Sequence, residues 1–225
     1  MLPKSCKMPD LSHLDPLMPG LITAVVGFIG KSLTKKERDY VRIFVHYTER
    51  AVTEYNAARQ CVIEELEELQ RSAEQMEKEG RQLYMLSFVD HMEYCINTTR
   101  RLFRVLESAK REPNGKLRID RSLRRRIETH LDTVRDVRDF VEHIDEKIQH
   151  GETAGPVMLK LSDDDEGIEI VEYSLKFVDL ARLLERFHEL SIQWLADFRG
   201  LNRVRPAQLT LNQQVEGSIP SRVIP

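Results

Sequence analysis

Apolar side chains that recur every three or four residues are the feature that most restricts the fold of this chain. The longest series follows Thr34, and because this spacing puts its members on one face of a helix, it predicts a helix from Thr34 to about Lys78. Thr34 and Glu37 form a capping box at its start, and Gly80 is a natural stop. A helix of that length is unusual, so a kink or break within it is the alternative. The series comprises Tyr40, Phe44, Tyr47, Ala51, Tyr55, Ala58, Val62, Leu66, Leu69 and Met76.

The same period predicts three further helices, over about 82–111, 120–151 and 179–198. Asp120 and Asp179 are suitable N-caps for the last two, because a carboxylate accepts hydrogen bonds from the first free backbone N–H groups of a helix. Helices that each have a single apolar face must bury those faces against one another. The sequence therefore predicts a helical bundle with one shared core.

The spacing of the apolar side chains changes from helical steps to strict alternation before the last helix. Residues 157–161 and 168–170 alternate apolar and polar side chains around an acidic turn, Ser162–Gly167, which is typical of a β-hairpin. The acidic turn lacks the ligand spacing of a calcium-binding EF-hand. The predicted fold is thus mainly all-α: a four- to five-helix bundle with a β-hairpin at about 156–172 inserted before the last helix. Its predicted divisions are an N-terminal arm (1–33), the bundle (34–199) and a mobile C-terminal tail (200–225).

Charge and composition narrow the functional classes. The net charge is −3, from 34 basic and 37 acidic residues, so no overall basic excess indicates nucleic-acid binding. Arginines are nevertheless dense from Arg100 to Arg126, which is either a local phosphate-binding patch or a solvated charged face. Three separated cysteines show no disulfide or metal-ligand spacing, and the apolar run Leu21–Gly30 is too short to span a bilayer. We expect a cytoplasmic protein without a membrane span, metal or cofactor.

Residues Arg138, Asp139 and His143 form the candidate site. An arginine can hold a phosphodiester by its charge, and a histidine can transfer a proton. A helix rotates about 100° per residue, so Arg138 and His143 point about 140° apart, and a working pair needs a bent helix or a second copy of the helix in a two-fold dimer. The spacing itself is not specific, because Arg125 and His130 share it. A helix surface crossed by ion pairs remains the alternative interpretation.

The segment Arg138–His143 resembles the R-x4-6-H motif of HEPN domains, and Ile144–Ile148 looks like an extension found in some bacterial HEPN-like proteins. The resemblance implies a dimerising bundle of four or five helices that acts on RNA as a metal-independent endoribonuclease or an RNA-binding effector. It further implies that Arg138 holds the scissile phosphate, that His143 exchanges a proton with the ribose 2′-hydroxyl, and that Asp139 orients them. The expected partners are a second copy of the chain, RNA or another protein.

A non-catalytic helical module that binds a protein partner is the competing prediction. It is based on the long charged first helix, the hairpin, and terminal segments that could dock on a partner.

Overall fold

The computed structural model describes residues 2–26, 33–112, 115–151 and 158–199. They form a mainly helical bundle with a small antiparallel sheet before the last helix, which confirms the predicted fold class. The elements are α1 Met18–Val26, α2 Lys35–Glu68, α3 Ala73–Glu79, α4 Tyr84–Lys110, α5 Arg121–Glu128, α6 Leu131–Glu142, α7 Ile144–Gln149, β1 Lys160–Leu161, β2 Gly167–Ile170, β3 Tyr173–Lys176 and α8 Phe177–Arg199.

Helix α2 begins as predicted, at a complete capping box between Thr34 and Glu37. It ends earlier than predicted, at Glu68, so the alternative with a break is the one observed. Two buried carboxylates, Glu65 and Glu68, explain the break. Glu68 accepts hydrogen bonds from Arg71 at 2.8 Å and from the backbone N–H of Gln82 at 3.3 Å. Glu65 accepts hydrogen bonds from Arg81 at 2.8 Å and from the backbone N–H of Tyr84 at 3.0 Å, so the chain turns back to start α4 beside the end of α2.

Aromatic side chains from α2, α4 and α8 fill the centre of the bundle. The ring of Phe187 on α8 lies 5.7 Å from that of Phe44 and 5.2 Å from that of Phe103, in edge-to-face arrangements. Trp194 lies 4.7 Å from Phe44, and its indole N–H donates to the carbonyl of Arg118 at 3.2 Å. Edge-to-face rings add to the stability gained from apolar burial, so these contacts help to hold α2, α4 and α8 together.

The third predicted helix is wrong as a single element. The backbone leaves helical geometry at His130 (φ −99°, ψ 3°) and again at His143 (φ −107°, ψ 20°), which divides the segment into α5, α6 and α7. Val134 and Val137 of α6 still face the core, as the apolar period indicated, and Phe140 is buried as well. Helix α6 packs on α4 and carries the candidate motif near its end.

The predicted hairpin is present and belongs to a larger sheet, because a third strand pairs with it. β1 pairs with β2 where expected, and β2 pairs with β3 so that Gly167 lies opposite Lys176 and Ile170 opposite Tyr173. The third strand thus lies beyond the predicted end at residue 172. Tyr173 packs on Phe140 of α6, with ring centroids 5.7 Å apart, and this contact seats the sheet against α6. Residues 156 and 157 lie outside the described residues.

The described part of the predicted arm lies against the bundle. Met8, Leu11 and Leu17 are buried, and the backbone N–H groups of Lys4 and Ser5 both donate to Asp165 at 3.0 Å. The segment is thereby tied to the turn between β1 and β2. The predicted tail, 200–225, lies outside the described residues.

Candidate nucleic-acid interface

Arg138 lies in the last part of α6 and is largely buried, with 14% of its side chain exposed. Its guanidinium donates to Asp139 at 2.9 Å and pairs with Glu142 on the next turn. The pair with Glu142 has the i,i+4 spacing that the alternative of an ion-paired helix surface predicted, whereas the contact with Asp139 joins neighbours in the sequence. Arg138 is therefore a cation whose charge is already balanced within its own helix.

His143 lies where α6 ends. Its backbone N–H donates to the carbonyl of Asp139 at 3.1 Å, while its ring Nδ1 lies 3.4 Å from Glu146. The imidazole is 54% exposed. The side chain of Asp139 pairs with Arg138, and the carboxylate beside the imidazole is that of Glu146.

The motif residues face two different cavities of the chain. Arg138 lines a cavity between α2, α4 and α6, whereas Asp139 and His143 line another, of about 390 Å³, beside Tyr173. One protomer therefore does not bring Arg138 and His143 to one site, as the helical rotation indicated. Within the described part of the chain, no group of three or more potential ligands is arranged to hold a metal ion.

The cavity that includes Arg138 has a volume of about 420 Å³, and we call it the arginine–tyrosine cleft. It contains five arginines, two tyrosines and one carboxylate. Its lining residues are His46, Tyr47, Arg50, Tyr94, Asn97, Thr98, Arg100, Arg101, Arg104, Arg138 and Glu142.

Helical spacing explains why these residues converge. Residues 94, 97, 98, 101 and 104 of α4 recur at the helical period and lie on a face next to the apolar one that packs in the core. Residues 46 and 50 of α2 lie one turn apart, as do 138 and 142 of α6. Because α4 packs against both α2 and α6, the three polar faces meet around one cavity.

The cleft has an excess of positive charge that its own carboxylates do not balance. Arg50 pairs with Glu54 at 3.3 Å, and Arg138 pairs with Glu142. Arg100, Arg101 and Arg104 form no ion pair with any carboxylate in the described ranges, 2–26, 33–112, 115–151 and 158–199.

Arg100 is the most desolvated of these three arginines. Its Nε is buried and has no hydrogen-bond partner among the described residues. Burial is the main cause that lowers the pKa of the Arg100 guanidinium, and the neighbouring Arg104 acts in the same direction, whereas Asp139 and Glu107, which form no ion pair with Arg100, act against them. Buried donors are normally paired, and like charges repel, so an anion bound beside Arg100 would relieve both penalties.

Two tyrosines give the cleft flat apolar surfaces beside its cations. The guanidinium of Arg101 lies 5.8 Å from the ring centre of Tyr47, and that of Arg50 lies 5.8 Å from the ring centre of Tyr94. Tyr94 is 56% exposed. Aromatic rings next to a positively charged groove are the combination on which successive bases of a single strand stack.

The sequence pointed to only part of this cleft. Arg100, Arg101 and Arg104 belong to the arginine-dense run, and Arg138 belongs to the motif. His46, Tyr47, Arg50 and Tyr94 were not singled out as functional. His46 and Arg50 lie on the polar face of α2, while Tyr47 belongs to its apolar series; which faces of two helices meet depends on packing and is not visible in either helix alone.

In the described residues, no helix has both the length and the apolar character required to cross a membrane. No protein-family model matches the chain, and comparisons with curated proteins and with solved structures also gave no match.

Proposed function

We propose that this protein is a HEPN-like helical effector that binds single-stranded RNA in the arginine–tyrosine cleft. The observation that carries the proposal is the trio Arg100, Arg101 and Arg104, which line the cleft without a carboxylate partner among the described residues. Phosphate groups are the natural partners of such guanidiniums, because each phosphate oxygen can accept charge-assisted hydrogen bonds from the planar N–H fork.

The two tyrosines favour a single strand over a duplex. In an A-form duplex the base faces are stacked on one another, so Tyr47 and Tyr94 would have no base to contact. A single strand can place its phosphates on the arginines and its bases on the rings. The cavity volume of about 420 Å³ lies within the usual range of ligand sites, so the cleft has room for a few phosphate and base groups of one strand.

Cleavage by the pair Arg138 and His143, which the HEPN resemblance implies, would require two protomers. The two side chains line different cavities of one chain, so a second copy would have to bring its His143 to the Arg138 of the first. A two-fold dimer has the required symmetry, because each chain then supplies the same contact to the other.

The binding proposal is tested by fluorescence anisotropy with a labelled single-stranded oligoribonucleotide. Arg101→Glu and Arg104→Glu together reverse two charges in the cleft and should abolish RNA binding. Both side chains are exposed, so we expect the double variant to fold as wild type does. Arg111→Glu is the matched control, because Arg111 lies at the end of the same helix but outside the cleft. Equal binding by all three proteins contradicts the proposal. A protein partner captured equally by wild type and the double variant, with no RNA binding by either, supports the interaction-module alternative.

A further inference from the structure

His46 is the histidine that shares a cavity with Arg138. It lies on α2, one turn before Arg50, and lines the arginine–tyrosine cleft together with the α4 arginines. His143 lines the other cavity. The two motif residues are five positions apart in sequence, yet the imidazole that faces the same space as Arg138 comes from a different helix.

The imidazole of His46 is available for chemistry. The residue is exposed, and its ring lies 5.8 Å from that of Tyr47 in a tilted arrangement. Neither ring nitrogen of His46 forms a hydrogen bond or ion pair with another described residue. By contrast, His91 is held by Glu54 at 2.8 Å and His188 by the carbonyl of Asp15 at 2.8 Å. The latter two have structural partners.

We infer that His46 is the proton-transfer residue of an RNA-cleaving centre that one protomer forms by itself, with Arg138 and the α4 arginines as its phosphate-binding groups. This rests on the proposed binding of single-stranded RNA in the same cleft. It replaces the arrangement in which His143 of a second chain completes the site.

The reaction that this group of residues supports is transesterification within the RNA strand. The 2′-hydroxyl gives its proton to the neutral imidazole of His46 as its oxygen forms a bond to the adjacent phosphorus. The bond from phosphorus to the 5′-oxygen breaks, and that oxygen takes up a proton from the imidazolium or from water. The products are a 2′,3′-cyclic phosphate and a 5′-hydroxyl. No electron is exchanged, and the arginines stabilise the negative charge that builds up on the phosphate oxygens.

The test measures cleavage and binding separately, in EDTA. Cleavage is followed on a labelled single-stranded oligoribonucleotide, and binding on its 2′-O-methyl analogue, which lacks the attacking hydroxyl. For His46→Ala we expect binding within about twofold of wild type and cleavage reduced by about 100-fold or more, the usual contribution of a general acid–base. His13→Ala is the matched control, because His13 is also exposed but lies outside the cleft, and it should cleave as wild type does.

The outcomes separate the two proposals. Binding without any cleavage by wild type overturns the role of His46 but leaves RNA binding in place, whereas absence of binding overturns both. Cleavage that disappears in His143→Ala and persists in His46→Ala overturns the inference in favour of the two-protomer site. A mixture of the Arg138→Ala and His46→Ala proteins should stay inactive, since both residues must come from one chain. Recovery of activity in that mixture contradicts a site formed within one protomer.

Discussion

The salt dependence of RNA binding follows directly from the number of cleft arginines that lack a carboxylate partner. A cation that neutralises a phosphate releases a condensed counterion, so each such contact steepens the loss of affinity with salt. Arg101 is the residue to remove, because it is exposed and its guanidinium lies over the ring of Tyr47. We therefore expect Arg101→Ala to change binding without changing the fold.

The size of the effect can be worked out for three phosphate contacts, one each for Arg100, Arg101 and Arg104. For single strands each contact contributes about 0.7 to the slope of log affinity against log salt, so wild type should lose about 20-fold in affinity between about 50 and 200 mM salt. With two contacts left, Arg101→Ala should lose only about 7-fold over the same range.

Fluorescence anisotropy titrations at four or five salt concentrations give both slopes. The matched control is Arg111→Ala, whose side chain is 80% exposed and pairs with Glu107 outside the cleft. Its slope should equal that of wild type. The same decrease in slope for Arg111→Ala and Arg101→Ala would show that RNA responds to the charge of α4 in general, and the assignment of the cleft would then be wrong.

Three further predictions concern stability and charge. Burial acts to raise the pKa of Glu37, but hydrogen bonds from the backbone N–H groups of Lys116 and Thr34 outweigh it and hold the pKa below its ordinary value. The ionised Glu37 therefore stabilises the fold at pH values above the ordinary glutamate pKa of about 4.3, and this contribution is lost as the pH falls through the lower pKa of Glu37 in the folded protein. Glu37→Gln should therefore make Tm, measured by circular dichroism, fall less steeply with decreasing pH. Asp165 has a φ of +61° and accepts hydrogen bonds from the backbone N–H groups of Lys4 and Ser5, so Asp165→Ala should lower the free energy of unfolding in urea by about 1–3 kcal/mol. Asp165→Asn keeps an acceptor and tolerates this φ, so it should lower the free energy of unfolding by less. Glu142→Gln removes the one carboxylate that lines the cleft. Because Glu142 is 40% exposed, solvent screens its pair with Arg138, so we expect RNA affinity to rise only about 1.5- to 5-fold; unchanged affinity would indicate that Arg138 takes no part in binding.

The helices that carry the core could be predicted because their signal is local. The apolar period located α2, α4 and α8, and the capping box at Thr34 fixed the start of α2. The break after Glu68 depends on Arg81 and the backbone of Tyr84, more than ten residues farther along the chain. Glycine and proline are absent around His130 and His143, so nothing local marks the two breaks on either side of α6. The third strand was missed because its pairing with β2 depends on register across a turn.

The composition of the cleft was beyond local prediction for a related reason. His46 and Arg50 lie on α2, and Arg138 lies on α6, so about ninety positions separate residues that line one cavity. A motif defined by spacing within one helix cannot identify partners from other helices. The helical rotation did indicate correctly that Arg138 and His143 face apart, and the structure places them in different cavities.

Arg138 on α6 and Arg100 on α4 differ in their partners, and this difference indicates how the free energy of RNA binding is divided in the cleft. Arg138 is held by Asp139 and Glu142, so a phosphate gains from it only by displacing carboxylates that already balance its charge. Arg100, desolvated and lacking a partner for its Nε among the described residues, requires no such displacement. Exchanging one anionic partner for another gains little free energy, whereas satisfying a buried donor recovers its desolvation cost. The α4 arginines should therefore dominate affinity, and Arg138 should act mainly where the bound phosphate carries additional negative charge, as it does during transesterification.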